Sequence, residues 1–156
     1  METNNRFQRC IYCFAPKTEP GACSHCGYDN GLCDLPGWWL TPGTVLKGRY
    51  ITGRGRSAND TEITYLGWDL QLEQTVDIVE YFPEGSVTRD ITHTDRVVTI
   101  PGHEEAVEAG RQAFFEKAKL YYNCVSRVQR VLHMDFFVRN NTCYYALHRN
   151  PRKTEE

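Results

Sequence analysis

The chain has 156 residues, of which 40% are hydrophobic and 12% aromatic, and it carries a formal net charge of −2. This composition predicts a folded core and excludes a disordered chain, and the length suits one domain, or one small domain plus an accessory module. No apolar run approaches the roughly 20 residues that span a bilayer. Residues 1–6 lack the apolar segment of a secretion signal, so we expect a cytoplasmic protein.

Two closely spaced pairs of cysteines mark the N-terminal segment. Two residues separate Cys10 from Cys13 and Cys23 from Cys26, and nine residues lie between the pairs. Each short turn can present two sulfurs at about 2.3 Å from one tetrahedral zinc ion. Two disulfides, or cysteines with no joint role, are the alternatives, and the missing secretion signal favours metal. We therefore predict a zinc ribbon over residues 1–35 that binds one structural Zn²⁺ per chain through these four cysteines.

The other cysteines and most histidines give weaker signals. Cys33, Cys124 and Cys143 have no partner at metal spacing, and we expect them to be small buried apolar residues. His25 lies between two predicted ligands, but we expect a solvated loop residue. We predict loop positions for His93 and His103 and an outward-facing strand position for His133.

Nucleic-acid binding is an alternative use of a zinc ribbon, and it requires a basic surface. The charges of residues 1–35 are slightly acidic in sum, so this alternative is disfavoured and we do not expect nucleic acid as a partner. The charged residues are Arg6, Arg9 and Lys17 against Glu2, Glu19, Asp29 and Asp34.

Residues 36–48 read as a linker and lead-in segment, because several prolines and glycines break any periodicity. Trp38 and Trp39 lie within this segment. We expect one of the two rings to pack against the following domain and to anchor the linker there. An exposed aromatic that binds a partner is the alternative.

The next part of the chain resembles a known family. Ile63–Asp69 and Val76–Pro83 resemble the second and third strands of the N-lobe of bacterial Ser/Thr protein kinases, and Leu40–Tyr50 resembles the phrase that leads into the first strand. Similarly, Cys23–Tyr28 resembles zinc ribbons found before kinase domains. The resemblance covers about two-thirds of the chain. It implies an α+β fold at residues 49–149, with a five-stranded antiparallel sheet and one main helix.

The remaining elements complete this predicted lobe. Apolar residues at helical spacing predict a helix from Glu104 to about Asn123, with a break at Gly110 as an alternative. Val131–Phe137 and Thr142–Leu147 read as the fourth and fifth strands, joined by a tight turn at residues 140–141. The resemblance places Leu147 near the gatekeeper position and the start of the hinge at residues 148–149. Residues 150–156 read as a charged tail, and we expect no C-lobe.

The residues that hold nucleotide in the family are replaced here. The strand-three lysine position is Val79, and the helix glutamate that pairs with it is Lys117. Glu116, one residue away, is turned by about 100° around the helix. The three glycines of the phosphate-binding loop fall on Ser57, Asn59 and Glu62. The resemblance therefore implies a degenerate, pseudokinase-like lobe that neither binds ATP nor transfers phosphate.

A lobe without its partner lobe is expected to expose apolar surface, and such patches usually mark interfaces. We therefore predict a homo-oligomer or a docked protein partner on the surface that a kinase C-lobe would cover. Charge is also segregated: residues 60–108 hold twelve acidic and two basic residues, and residues 117–153 hold eight basic residues and one acidic. The aromatic candidates for the exposed surface are Phe114, Phe115, Tyr121, Tyr122, Phe136 and Phe137.

Three hypotheses of function follow from the sequence. The favoured one is a non-catalytic protein-interaction or regulatory module made of a zinc ribbon and a truncated pseudokinase lobe. The alternatives are a zinc-ribbon protein that binds nucleic acid and a kinase fragment that binds ATP. The favoured hypothesis predicts one zinc ion per chain, no membrane association and no enzyme activity.

Overall fold

A computed structural model describes residues 7–29, 36–90, 92, 95–129 and 131–149. Predictions for Cys33, His93, the tail at 150–156 and the side chains of Cys124 and His133 lie outside the described part. The elements are β1 (Val45–Leu46), β2 (Tyr50–Ala58), β3 (Glu62–Asp69), β4 (Gln74–Tyr81), β5 (Val87–Arg89), β6 (Val97–Thr99), α1 (Glu104–Gln129), β7 (Val131–Arg139) and β8 (Thr142–Arg149).

The main sheet is antiparallel, and it has six strands rather than the five predicted. Its strand order is β1-β2-β3-β4-β8-β7. The additional strand is β1, in which Val45 pairs with Ile51 and Leu46 pairs with Tyr50. Two residues are too few to show an alternating pattern, so this strand has no signal in the sequence. The predicted linker thus contributes to the sheet.

The two edges of this sheet approach each other, so that it is nearly a barrel. The Tyr50 hydroxyl, at the start of β2, donates a hydrogen bond of 2.6 Å to Asp135 Oδ2 on β7. The Tyr50 ring stacks on Phe137 with 5.6 Å between centroids, and Lys47 Nζ lies 2.7 Å from Asp135 Oδ2. These contacts between distant strands curve the sheet and enclose the core.

A second, two-stranded sheet pairs β5 with β6 between β4 and the helix, and the sequence reading missed it. A buried ion pair attaches it to the main sheet: Arg89 Nη2 lies 2.7 Å from Glu80 Oε1, and the side chains are 1% and 0% exposed. The hydroxyls of Tyr65 and Tyr144 donate to the same carboxylate at 2.7 and 2.6 Å. Because every carboxylate oxygen has charged or hydroxyl donors, the buried charge is well compensated.

The single predicted helix is confirmed, and α1 runs without a break to Gln129, six residues beyond the expected end. Val107, Phe114 and Ala118 form its buried face, at 4%, 4% and 1% exposure. Gly110 does not break it. A Cβ there would lie 2.1 Å from the hydroxyl oxygen of Tyr81, so glycine gives that ring room to pack on the helix.

The turn between β7 and β8 forms as predicted. Asn140 and Asn141 both adopt left-handed backbone conformations, with φ of 54° and 61°, which is typical of a two-residue type I′ turn. The flanking strands each extend two residues beyond their predicted ends. Within the described residues, no helix is both long and apolar enough to cross a membrane.

Candidate metal centre and the kinase-like cleft

The structure brings the sulfurs of Cys10, Cys13, Cys23 and Cys26 within 4.8 Å of one another. The Cys10–Cys26 and Cys13–Cys23 sulfur pairs are 3.7 and 3.8 Å apart. A tetrahedron with metal–sulfur distances of about 2.3 Å has edges of about 3.8 Å, so this spacing suits an ion at the centre. All four cysteines are free rather than disulfide-bonded. The four residues can hold a metal ion, as their spacing in the sequence predicted.

The backbone around each cysteine follows one repeated pattern. Every sulfur accepts a hydrogen bond from the backbone N–H two residues further along the chain. Such donors stabilise the negative charge of a thiolate, which is the form that binds metal. His25 contributes only through its backbone, and its side chain is exposed, as predicted. The four donors are Tyr12 (3.3 Å), Ala15 (3.4 Å), His25 (3.3 Å) and Tyr28 (3.5 Å).

The residue after each cysteine pair reverses the chain. Phe14 and Gly27 have φ of 64° and 83°, in the left-handed region. Their N–H groups donate to the carbonyls of Cys10 and Cys23, both at 2.8 Å. Gly27 occupies this conformation without cost, whereas a phenylalanine is rarely found there. Contacts of the Phe14 ring with Gly53 and Trp68 hold the residue in this conformation.

Electrostatics within the cluster favour thiolate at one position and oppose it at another. Backbone N–H groups of Cys26 and His25 lower the pKa of Cys23 to about 6, against the opposing effect of burial. Burial raises the pKa of Cys26 to about 12. Four negative sulfurs this close together repel one another strongly, and a bound cation removes that repulsion.

The position of the family's nucleotide-binding lysine lies inside the core. Val79, on β4, is 5% exposed and belongs to the main hydrophobic cluster. Its neighbours across the sheet are Thr64 on β3 and Tyr145 on β8. An apolar side chain at this point packs with the core and offers no positive charge to a phosphate.

The tip of the β2–β3 hairpin, where the family has its glycine-rich loop, is a closed turn. The Asn59 side-chain oxygen accepts hydrogen bonds from the N–H groups of Thr61 and Glu62, at 2.9 and 3.0 Å. Two backbone N–H groups beyond β4, those of Phe82 and Glu84, donate to the carbonyls of Thr61 and Asp60 at 2.8 and 3.0 Å. Backbone groups of the hairpin tip are therefore already hydrogen-bonded within the protein.

A salt bridge joins this hairpin to the helix. Lys117 Nζ lies 2.6 Å from Glu62 Oε2, and the two side chains are 58% and 10% exposed. The helix thus provides the cation and the hairpin the anion, whereas the family's pair has its lysine on the sheet and its glutamate on the helix. The neighbouring Glu116 points elsewhere, toward Gln112 and Lys119.

Two glycines of β2 have packing roles that the sequence did not reveal. A Cβ on Gly53 would lie 2.6 Å from the ring of Phe14, and one on Gly55 would lie 2.1 Å from the ring of Trp39. Trp39 is thus the packed member of the tryptophan pair, as expected of one of them. Trp38 is 40% exposed and lines an open depression of about 510 Å³.

A second buried polar cluster, at Asp69, was also missed. Arg49 donates two hydrogen bonds to its carboxylate, at 3.0 and 2.8 Å, and His148 Nε2 lies 2.7 Å from Oδ2. Asp69 and His148 are both 0% exposed. Burial raises the pKa of Asp69, but the hydrogen bonds outweigh it and hold that pKa well below its usual range. The predicted hinge position, residue 148, is therefore a buried structural residue within β8.

No protein-family model and no curated protein matches the chain. A solved structure described as "PpkA-294 apo form" is similar, with a TM-score of 0.59 and 23% sequence identity. PpkA is a bacterial Ser/Thr kinase. The match covers 70% of this chain but 38% of that structure, so this chain spans well under half its length. The likeness shows that the two share a fold over this part.

Proposed function

We propose that this protein is a non-catalytic interaction or regulatory module, built from a zinc ribbon and a pseudokinase N-lobe. The observation that carries the proposal is the absence of the family's lysine–glutamate pair between the sheet and the helix. Val79 is buried where the family has a lysine, and Lys117 binds Glu62 where the family has a glutamate on the helix. The lobe keeps its fold but lacks the charges that bind nucleotide.

The geometry of the hairpin supports the same proposal. Phosphate binding in kinases depends on a positive charge and on backbone N–H groups that point at the phosphates. Here Asn59 and Glu62 close the hairpin tip on itself, and the Glu62 carboxylate would repel a phosphate at close range. Lys117 is already neutralised by that carboxylate. Nucleotide binding would have to break several of these contacts.

We further propose that the ion in the cysteine centre is Zn²⁺ in a structural role. Four sulfur ligands fill a tetrahedral shell and leave no open position for substrate, which is typical of structural zinc. The backbone hydrogen bonds to the four sulfurs favour a thiolate site.

The proposed partner surface centres on the outer side of the helix. Leu120 and Phe115 are 62% and 36% exposed, and Phe115 contacts the half-buried Phe136 edge to face with 4.9 Å between centroids. Two of the aromatic residues expected here, Phe114 and Phe137, instead lie in the core at 4% and 7% exposure. The other four aromatic candidates remain candidates for an interface with another protein or with a second copy of the chain. Light scattering across a concentration series tests for the homo-oligomer.

Nucleotide binding provides the main test. We expect Mg–ATP to leave the melting temperature unchanged in a thermal-shift assay and to give no heat in calorimetry. A matched control combines Val79→Lys, Lys117→Glu and Glu62→Gly, which places the family's residues at three positions; circular dichroism checks its fold. Saturable ATP binding by the natural chain would contradict the proposal. Elemental analysis should find one zinc per chain.

A further inference from the structure

The ribbon covers an apolar face of the kinase-like sheet that has its own small core. Phe14, Ile51 and Trp68 form a cluster separate from the main core, at 2%, 7% and 7% exposure. Ile51 and Trp68 are paired across β2 and β3. Since successive strand residues point to opposite faces, Ile51 faces away from the core that holds Tyr50. This outer face is covered by the ribbon rather than by the helix.

Phe14 is the main contact between the ribbon and this face. Its ring stacks on Trp68 with 6.0 Å between centroids. Gly53 makes room for it, because a Cβ there would lie 2.6 Å from the Phe14 ring. The left-handed φ of Phe14 is therefore the conformation that directs the ring from the first cysteine turn onto the sheet.

Two further contacts hold the first cysteine turn against the hairpin. The backbone N–H of Arg54, on β2, donates to the Tyr12 carbonyl at 3.0 Å. The Arg9 guanidinium lies over the Trp68 ring, 4.2 Å from its centroid. Tyr12 and Phe14 immediately flank Cys13, so the residues that contact the sheet and those that hold the ion share one turn.

We propose that the cysteine centre is a metal-dependent clasp, whose occupancy controls whether the ribbon stays docked on β2 and β3 and so controls the rigidity of that hairpin. This inference rests on the metal binding in the proposed function. Without an ion, the turn loses the template that holds Phe14 in its unfavourable conformation, and the face formed by Ile51 and Trp68 loses its cover. Since the same hairpin carries Glu62, the partner of Lys117, loosening it also releases a contact to the helix.

The size of the effect follows from linkage. A ligand that binds only the docked state, at a free concentration one hundred times its dissociation constant, stabilises that state about a hundredfold. For full coupling, chelating the metal should therefore speed amide hydrogen exchange in residues 50–58 and 62–69 by about a hundredfold. Residues 142–149, on the far side of the sheet, serve as the internal reference and should change much less.

The test is hydrogen exchange with mass spectrometry on the full chain, loaded with zinc and after chelation. Phe14→Gly is the main variant, because the second cysteine turn already has a glycine at the equivalent position and the ligands stay intact. We expect it to bind zinc and to have a hairpin that exchanges fast with or without metal. Gly53→Ala, which blocks the Phe14 ring from the other side, should behave alike. Gly37→Ala, where an added Cβ meets nothing within 4 Å, is the matched control and should behave as the natural chain.

The outcomes separate the two proposals. If zinc binds and chelation accelerates exchange only within residues 7–29, the clasp is wrong and the proposed function stands. If native mass spectrometry finds no metal on the purified chain or after zinc is added, both the clasp and the zinc part of the function are wrong. Acceleration of the hairpin in the natural chain and its absence in Phe14→Gly supports the clasp.

Discussion

The cysteine centre and the kinase-like cleft differ in how they are assembled. All four sulfurs come from one short segment, from Cys10 to Cys26, and each cysteine pair is positioned by its own turn. The cleft combines a hairpin, a strand and a helix that are far apart in sequence, with the neutral Val79 on the strand and an ion pair between Lys117 and Glu62. The comparison teaches that a cluster built from one short segment is visible as a spacing in the sequence, whereas contacts between distant segments are decided by packing.

A single ligand substitution should have the largest effect. We expect Cys26→Ser to abolish stoichiometric zinc binding and to disorder residues 7–29, because structural zinc supplies about 10–16 kcal/mol of apparent binding energy in small zinc domains. Elemental analysis and hydrogen exchange measure both effects. Cys143→Ser is the matched control, since Cys143 is buried outside the cluster. Equal loss of zinc in both variants would contradict the four-cysteine site.

Breaking the buried ion pair between Arg89 and Glu80 should have the second-largest effect. Arg89→Met leaves the Glu80 carboxylate buried without its cation, and we expect a loss of about 3–5 kcal/mol in the free energy of unfolding. Arg56→Met is the control, because the Arg56–Asp77 side chains are 44% and 21% exposed, and its cost should be about 1 kcal/mol or less. Urea denaturation compares them. Similar costs for the two variants would refute a structural role of the buried pair.

Acid should weaken the sheet through Asp69. Its folded-state pKa lies below the unfolded value, so the stabilisation that it provides is complete above the unfolded pKa, about 4, and is lost as pH falls toward the folded pKa. We expect the stability difference between the natural chain and Asp69→Asn to shrink below about pH 4. Urea midpoints across a pH series measure this difference, and a constant gap would show that the carboxylate does not act in this way.

Removing the exposed ion pair between Lys117 and Glu62 should have the smallest effect on stability. Lys117 is 58% exposed, so solvent screens its attraction to Glu62. A double-mutant cycle with Lys117→Ala and Glu62→Ala should give a coupling of about 0.2–1 kcal/mol. A coupling several times larger would mean that this pair, rather than packing, holds the hairpin against the helix.

Local patterns in the sequence were sufficient for the elements that depend on near neighbours. The spacing of the cysteines predicted the cluster, and the asparagine pair predicted the turn after β7. Helical spacing predicted the helix. The resemblance of residues 63–69 and 76–83 to kinase strands predicted the sheet, and the similar solved structure shares this fold. The division into segments 1–35, 36–48 and 49–149 stays a prediction. These features depend on residues a few positions apart, which a linear pattern can show.

Only the tertiary structure decided what the isolated glycines and buried charges do. Gly53 and Gly55 belong to no periodic pattern in the sequence, but in the structure one makes room for Phe14 and the other for Trp39. Glu80 lies on β4 and Arg89 at the end of β5, and their pairing depends on the turn that joins the two strands. A close approach between distant segments leaves no periodic signal in a sequence, because it is fixed by packing in three dimensions. The sequence therefore determined the cluster of four cysteines and the type of sheet, and the structure determined how the cysteine-rich segment packs on that sheet.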